Sequence, residues 1–351
     1  MTRRVTILGC GSSGGVPRLG GNWGACDPNN PKNRRQRCSI LVEQSGPEGT
    51  TRVLIDSSPD LRTQLLTAQV GTLDAVVYTH AHADHVHGLD DLRMIVINMR
   101  RRLPVWADGP TRSDLLSRFS YAFETPEGSS YPPILEMNDI SGPFTITGAG
   151  GALDFTPFEV AHGTITALGF RIGDMVYLPD VSDIPENAWS HLQGLDLWIV
   201  DALRYDPHPS HTHLEKTLQW IAHVQPKRAI LTNMHVDLDY ATLQTELPND
   251  VVPAFDMMTE VLGYEHPAPS DPAGIFRCWL WISGRLAQVV LRRRGWGSYG
   301  LYPKFCHSLP AVSRHFNFGP GANLPAGAAR QFLHWRDSRI WLGHVWRAHL
   351  V

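Results

Sequence analysis

The sequence predicts an α/β protein in which two β-sheets pack face to face with helices on the outside. Short β-branched runs recur through residues 1–261, and helical patterns separate only some of them, which is typical of strand meanders rather than strict β–α–β alternation. The residues AVILMFWYC make up 42% of the 351-residue chain, as expected for a globular protein. No run of about 18 apolar residues occurs, so the sequence predicts no membrane-spanning helix.

Nine segments have the composition of strands, and three have the pattern of helices. Asp60 is a plausible cap for a helix over residues 60–68, and a second helix is predicted over residues 90–99. A third helix is predicted after Thr212, which forms a capping box with Glu215 and precedes an apolar face that includes Leu218. The predicted strands are residues 5–8, 39–42, 52–55, 75–78, 155–160, 167–172, 175–178, 197–200 and 228–231.

Charge divides the chain into two parts. Residues 1–261 carry 20 Lys and Arg against 31 Asp and Glu, a net charge of −11, whereas residues 262–351 carry 11 against three, a net charge of +8. The second part also holds six of the eleven tryptophans and many prolines, without a periodicity that indicates a core. We expect one acidic domain over residues 1–261 and a basic, irregular extension over 262–351. That extension is either poorly structured, non-native sequence or a surface for membranes or nucleic acids.

The five cysteines are scattered and form no CxxC pair, which excludes a disulfide framework and a zinc ribbon. The apolar stretch after Arg3 and Arg4 is too short for a signal peptide. We therefore expect a cytoplasmic protein.

Two motifs follow predicted strands. The glycines Gly9, Gly11 and Gly14 match a dinucleotide-binding fingerprint, but the glycine- and proline-containing sequence after them does not favour the helix that such a site needs. Residues 79–85, Thr-His-Ala-His-Ala-Asp-His, form a dense ligand cluster. Histidine with carboxylate suits zinc and, less well, manganese or iron. This segment therefore predicts a metal site that includes His80, His82, Asp84 and His85.

The pattern His80-x-His82-x-Asp84-His85 resembles the signature of the metallo-β-lactamase superfamily. The resemblance implies an αββα sandwich of two mixed β-sheets with a metal site at one edge. It also implies three further ligands, a histidine, an aspartate and a histidine in that order. The candidates, each after a predicted strand, are His162, Asp180 and His235.

Carried onto this sequence, the resemblance implies two divalent metal ions, Zn²⁺ with Mn²⁺ as the alternative. His80, His82 and His162 would hold one ion, Asp84, His85 and His235 the other, and Asp180 would lie between them. Two such ions share a hydroxide and clamp the oxygens of an in-line displacement at phosphorus.

Residues 11–17, 34–39 and 54–56 are similar to the phosphodiesterase of the carbon–phosphorus lyase pathway and, more distantly, to the tRNA 3′ processing endonuclease. Both families place a catalytic histidine about one helix before the last ligand strand. When the helix and the last ligand strand are aligned with these families without a gap, His211 falls at the catalytic position. Counting back from His235 as the final ligand places His213 there instead. We prefer His211. Such a histidine donates a proton to a phosphoryl or leaving oxygen.

The sequence departs from this resemblance in two places. The gapless match puts Asn233 rather than a histidine at the final ligand position, so His235 serves only if the loop differs. The resemblance to the pathway enzyme also implies a structural zinc ion held by clustered cysteines in the loop near residue 22. In this sequence only Cys26 is present there. We expect no structural zinc, with the loop ordered by packing of Trp23.

The function predicted is metal-dependent hydrolysis of small cyclic phosphates or nucleotide-type diesters. The acidic front region disfavours a nucleic-acid partner, no membrane partner is expected, and the resemblance suggests a homodimer. The alternatives are a thioester or lactam hydrolase, a tRNA-processing nuclease, and a metal-dependent nucleic-acid-binding protein.

Two further features have two hypotheses each. Asp56 is either a support for a metal ligand or a turn residue, and the basic run over residues 32–37 either steers anions or forms a solvated loop.

Overall fold

The structure, a computed structural model, describes residues 2–262 and three further segments, 275–282, 285–294 and 298–301. The chain divides into two compact units, Met1–Tyr264 and Glu265–Val351. All nine predicted strands are present in the first unit, with small differences at their ends.

The first unit contains two seven-stranded sheets, and both are mixed. The strands of the first sheet in spatial order are β14 (Met258–Leu262), β1 (Thr2–Gly9), β2 (Ser39–Gly46), β3 (Gly49–Ile55), β4 (Ala75–Val77), β5 (Leu103–Ala107) and β6 (Leu135–Asp139). Of these, β14, β1, β2 and β3 pair antiparallel, whereas β3, β4, β5 and β6 pair parallel.

The second sheet is arranged in the same way. Its strands in spatial order are β13 (Val251–Pro253), β12 (Ala229–Thr232), β11 (Leu197–Asp201), β10 (Met175–Leu178), β9 (Ile165–Ile172), β8 (Gly151–His162) and β7 (Phe144–Gly148). Strands β7 to β10 pair antiparallel, and β10 to β13 pair parallel.

Side-chain alternation along the strands builds two cores. On β2, Ile40 and Val42 belong to the large apolar cluster that also contains Phe155 and Phe170 of the second sheet. Leu41, which lies between them in sequence, belongs to a separate cluster on the helical side. Because successive side chains of a strand point to opposite faces, this pattern packs one face of the first sheet on the second sheet.

Helices cover the outer faces. They are α1 (Leu61–Thr67), α2 (Ala83–Val86), α3 (Leu92–Met99), α4 (Gly109–Phe123), α5 (Leu214–Val224) and α6 (Tyr240–Glu246). α1 and α3 contribute Leu61 and Leu92 to the cluster on the first sheet, and α5 contributes Ile221 to the large cluster. This arrangement confirms the predicted αββα sandwich.

One predicted helix start is wrong. α5 begins at Leu214 with His213 as its N-cap residue, so Thr212 does not cap it. The Thr212 hydroxyl is buried and lies 3.1 Å from the Thr217 hydroxyl, which in turn donates to the carbonyl of Asp201. Thr212 therefore ties the start of α5 to the end of β11. Asp60 does precede α1, but its carboxylate accepts from the Arg37 backbone instead of capping the helix.

In the second unit, three strands form an antiparallel sheet in the order β15 (Ile275–Ile282), β16 (Arg285–Arg294) and β17 (Ser298–Leu301). The sequence predicts no regular element in this region, so these strands add to the predicted architecture. The remaining residues of the predicted extension, 263–274, 283–284, 295–297 and 302–351, lie outside the described residues. Among the helices in the described ranges, none has the length and apolar character needed to cross a bilayer.

Candidate metal centre

Four side chains meet where strands of both sheets end. His80 and His82 follow β4, His162 ends β8, and Asp180 follows β10. One ligand atom from each of these residues lies within 4.8 Å of the others. The carboxyl ends of parallel strands share one edge of a sheet, so residues distant in sequence converge there. The structure thus brings together four of the seven predicted metal ligands.

The distances within this group are those of side chains that surround a common point. Nε2 of His162 lies 3.0 Å from Nδ1 of His82 and 3.5 Å from Oδ2 of Asp180. Nε2 of His80 lies 3.7 Å from the same carboxylate oxygen. Three imidazoles and a carboxylate form a donor set that suits a transition-metal ion such as zinc.

His85 and Asp84 stand on the other side of Asp180. Nε2 of His85 lies 3.2 Å from Oδ1 of Asp180 and 3.6 Å from Oδ2 of Asp84. The two oxygens of Asp180 therefore face different groups, Oδ2 towards His80 and His162 and Oδ1 towards His85. This is the intermediate position that the resemblance implies for Asp180.

Two buried ring nitrogens in the cluster have no hydrogen-bond partner among the described residues. Nε2 of His80 and Nε2 of His85 are both inaccessible and make no hydrogen bond. A buried polar atom without a partner is costly, so such atoms call for an explanation. Both atoms point into a group of metal-ligand side chains, and the residues present therefore fit bound metal ions.

The electrostatics of the cluster also favour cations. Burial lowers the pKa of His80 well below its ordinary value, and burial likewise lowers the pKa of His162, so both rings are neutral, as metal ligands must be. Burial also acts to lower the pKa of His85, but the carboxylates of Asp180, Asp84 and Asp56 outweigh it and raise that pKa. The negative potential that holds a proton on His85 equally attracts a metal ion.

Asp56 orients two of the ligands. It follows β3 with a φ of 63°, and its carboxylate accepts hydrogen bonds from the backbone N–H and the hydroxyl of Thr79, both at 2.8 Å. The same carboxylate lies 2.8 Å from Nδ1 of His85, and the Thr79 hydroxyl lies 3.0 Å from Nδ1 of His80. Of the two hypotheses for Asp56, the structure supports its role in orienting metal ligands.

His211 stands beside this cluster. Its ring centre is 4.7 Å from that of His162, and its Nδ1 donates to Oδ2 of Asp201 over 2.9 Å. Burial acts to lower the pKa of His211, but Asp201 outweighs it and raises the pKa to about 9. Asp201 was not predicted as a site residue, although a carboxylate directly after the predicted strand 197–200 is the same signal that identified Asp180.

His213, the other candidate catalytic residue, is not part of this arrangement. It occupies the N-cap position of α5, and within the described residues no contact joins its ring to the metal cluster. His208 lies nearer, with its ring centre 5.3 Å from that of His211, and its Nδ1 accepts from the backbone N–H of Ser210. The geometry therefore favours His211 over His213.

The structure does not bring His235, the predicted last metal ligand, together with the other predicted ligands. Its Nδ1 lies 2.8 Å from Oδ2 of Asp237, and its Nε2 contacts the guanidinium of Arg18. Asn233 approaches the cluster instead, with its Nδ2 atom 3.4 Å from Oδ1 of Asp180 and 3.1 Å from Nδ1 of His211. Asn233 directly follows β12 and is 2% exposed, so it occupies the place at the strand end that the ligand would need.

The basic run over residues 32–37 matches neither hypothesis, anion steering or a solvated loop, along its whole length, because part of it is buried. Arg35 is 2% exposed and donates to the backbone carbonyls of His235 and Leu238. In the neighbouring loop, Cys26 and Val236 are buried against partly buried Trp23. The side chain of Arg35 therefore stabilises the conformation of the loop after β12. This conformation explains in part why the His235 ring does not join the metal cluster.

The chain is similar in sequence and fold to known proteins. A sequence model described as "Beta-lactamase superfamily domain" matches residues 51–234. The chain is 34% identical to a solved structure described as a new diphosphatase from the PhnP family, with a TM-score of 0.67, covering 75% of this chain and 98% of that one.

Two curated relatives carry other names. The chain is 32% identical over 266 residues to an octanoyltransferase of Porphyromonas gingivalis, which covers 74% of this chain and 51% of that protein. It is 30% identical over 145 residues to a ribonuclease Z of Bradyrhizobium diazoefficiens, covering 40% of this chain and 45% of that protein. The chain thus spans about half the length of these relatives or less.

Proposed function

We propose that this chain, which belongs to the β-lactamase superfamily and is a hydrolase of the metallo-β-lactamase fold, cleaves phosphodiester bonds in small anionic substrates with the help of divalent metal ions. His80, His82 and His162 would hold one ion and Asp84 and His85 another, with Asp180 between them. Ions bound there would supply Lewis acidity towards phosphoryl oxygens and would activate water for attack.

One observation carries the choice of phosphodiesters: His211 stands next to the ligand cluster and is held by a buried carboxylate. Asp201 accepts from Nδ1 and keeps the ring in one orientation, so Nε2 is the atom left to exchange a proton with a substrate. Cleavage of a phosphodiester needs a proton for the departing alkoxide, and a histidine so placed provides it by general acid catalysis.

The substrate we propose is small. Residues 1–261 carry a net charge of −11, which repels a long polyanion, whereas a single phosphate group is held locally by cations at the centre. RNA is the second candidate substrate, because the chain is similar to a protein named ribonuclease Z.

A substrate panel tests the proposal on purified protein loaded with Zn²⁺ or Mn²⁺. The panel contains a chromogenic phosphodiester, a cyclic nucleotide, a diphosphate, a precursor tRNA, an octanoyl thioester and a β-lactam. We expect the phosphodiesters to be cleaved fastest. The diphosphate and the thioester are included because the relatives are named as a diphosphatase and an octanoyltransferase.

His211→Ala separates the candidate reactions. It should lower kcat for phosphodiesters by about 10²–10⁴-fold, the usual contribution of a general acid, while the metal content stays the same. His213→Ala is the matched control, and we expect it to leave kcat unchanged. Thioester or lactam hydrolysis that is faster than diester cleavage and insensitive to His211→Ala would contradict the proposal.

A further inference from the structure

The two sides of the metal cluster offer different donor atoms. On one side, His80, His82 and His162 bring three imidazoles to Oδ2 of Asp180. On the other side, His85 brings an imidazole to Oδ1 of the same aspartate, and its neighbours there are the carboxylate of Asp84 and the amide of Asn233, whose Nδ2 atom faces Oδ1. One side thus offers three imidazoles, whereas the donors described on the other side are the imidazole of His85 and carboxylate oxygens.

Asn233 is held in this place by the backbone. It comes directly after β12, its φ is 59°, and the next residue, Met234, is buried and donates its N–H to the carbonyl of Cys10. Two residues further on, His235 donates its backbone N–H to the carbonyl of Leu203 while its ring contacts Arg18. The His235 ring is therefore paired with Arg18 and Asp237, whereas Asn233 is the residue that approaches Asp180.

Donor type governs the choice and strength of metal binding. Imidazole nitrogen suits zinc, whereas carboxylate and amide oxygens suit harder ions such as manganese or magnesium. A neutral amide is also a weaker ligand for zinc than an imidazole, and as placed here its Nδ2 donates towards Asp180 Oδ1, an oxygen that faces the second position.

We propose that the two metal positions of this chain are unequal: a zinc ion held tightly by His80, His82, His162 and Asp180, and a weak, exchangeable position at Asp84, His85 and Asp180 beside Asn233 that takes a harder ion such as Mn²⁺. The inference rests on the metal centre of the proposed function and is independent of the substrate. Asn233 is the residue that sets the difference between the positions.

The test is metal binding by the full chain, measured without any substrate. Metal-free protein is titrated with Zn²⁺ in competition with a chromogenic chelator, and the metal content is determined after gel filtration. We expect one zinc per chain to be retained and a second to bind at least about tenfold more weakly. Zinc-loaded protein should then bind one Mn²⁺, seen as loss of the free-ion signal in electron paramagnetic resonance.

Asn233→His should raise the zinc affinity of the second position by about tenfold or more and should let two zinc ions survive gel filtration. His235→Ala is the control, and we expect it to leave both affinities unchanged because its ring lies away from the cluster. Circular dichroism checks that both variants are folded.

Two zinc ions bound with equal affinity by the unmodified chain would overturn the inference, even if Asn233→His did not fold. So would a folded Asn233→His protein with the original ratio of affinities, or loss of the second ion in His235→Ala. A chain that binds metal unequally but cleaves no phosphodiester would leave this inference standing and reject the proposed function instead.

Discussion

Two buried carboxylates at strand ends each contact the Nδ1 atom of a histidine. The two histidines differ in the surroundings of their other ring nitrogen, Nε2. Asp56, after β3, lies 2.8 Å from His85, and Asp201, at the end of β11, lies 2.9 Å from His211. Both carboxylates are 0% exposed. The same contact therefore occurs on both sheets.

The difference lies in burial. The His85 side chain is 1% exposed, and its Nε2 atom faces Asp180 and Asp84 without a hydrogen-bond partner. The His211 side chain is 16% exposed and lies at the margin of the cluster. An inaccessible nitrogen among carboxylates is suited to bind a metal ion, whereas a nitrogen that solvent reaches is suited to transfer a proton. The comparison teaches that the carboxylate fixes the ring, and burial then decides its role.

Asp201→Asn tests the His211 side and should have the largest effect of the substitutions in this comparison. Loss of the carboxylate removes the group that orients the ring and stabilises its protonated form, so kcat for a phosphodiester should fall by about 10²-fold. KM and the tightly bound metal should not change. Loss of metal in Asp201→Asn would place Asp201 with the metal ligands and would break the comparison.

Asp56→Asn tests the His85 side. An asparagine accepts fewer hydrogen bonds than the carboxylate, so His85 and Thr79 lose part of their orientation. Metal affinity should fall by about 10–100-fold, as is usual when a ligand's supporting partner is changed. Excess metal should restore activity in Asp56→Asn but not in Asp201→Asn. Equal rescue of both variants by metal would contradict the assignment of different roles.

Asp256 extends the comparison to a buried carboxylate that contacts no histidine among the described residues. It accepts from the backbone N–H groups of Gln36 and Cys10, yet burial outweighs these bonds and raises its pKa from 3.8 to about 7. The folded state therefore keeps a proton that the unfolded chain loses at about pH 4. It follows that the contribution of Asp256 to the free energy of unfolding should decrease as the pH rises from about 4 to 7.

Asp256→Asn should remove this component of the pH dependence. Urea unfolding at pH 4.5 and 7.5 measures it, and the change in stability from pH 4.5 to pH 7.5 should be more favourable in the variant than in the unmodified chain. Asp139→Asn is the control, because its side chain is 61% exposed and pairs with Arg112 on the surface. An unchanged pH dependence in Asp256→Asn would show that Asp256 is ionised in the folded protein.

Much of the centre could be predicted because its ligands lie in one short segment or directly after recognisable strands. His80, His82, Asp84 and His85 fall within six residues, and the spacing of this segment alone brings them to one edge. The alternation of apolar residues on the strands likewise predicts the face-to-face packing of the two sheets, which the structure confirms.

What could not be predicted depends on how the chain turns after a strand. A positive φ at Asn233 and the contacts of Arg35 with the following carbonyls direct His235 towards Arg18. These are long-range contacts, over as many as 217 residues, that no local pattern contains. The capping box of Thr212 and Glu215 predicts the wrong cap because the Thr212 hydroxyl instead contacts Thr217, which bonds the carbonyl of Asp201 on a preceding strand.

The most direct test of the account is to measure metal content and phosphodiester cleavage together in the unmodified chain and in His82→Ala. His82 is exposed, so its replacement should leave the fold intact while it removes one of the four converging donors. We predict that the unmodified chain retains metal and cleaves the diester, and that a chelator and His82→Ala each abolish both properties. A His82→Ala protein with full metal content and full activity would contradict the account.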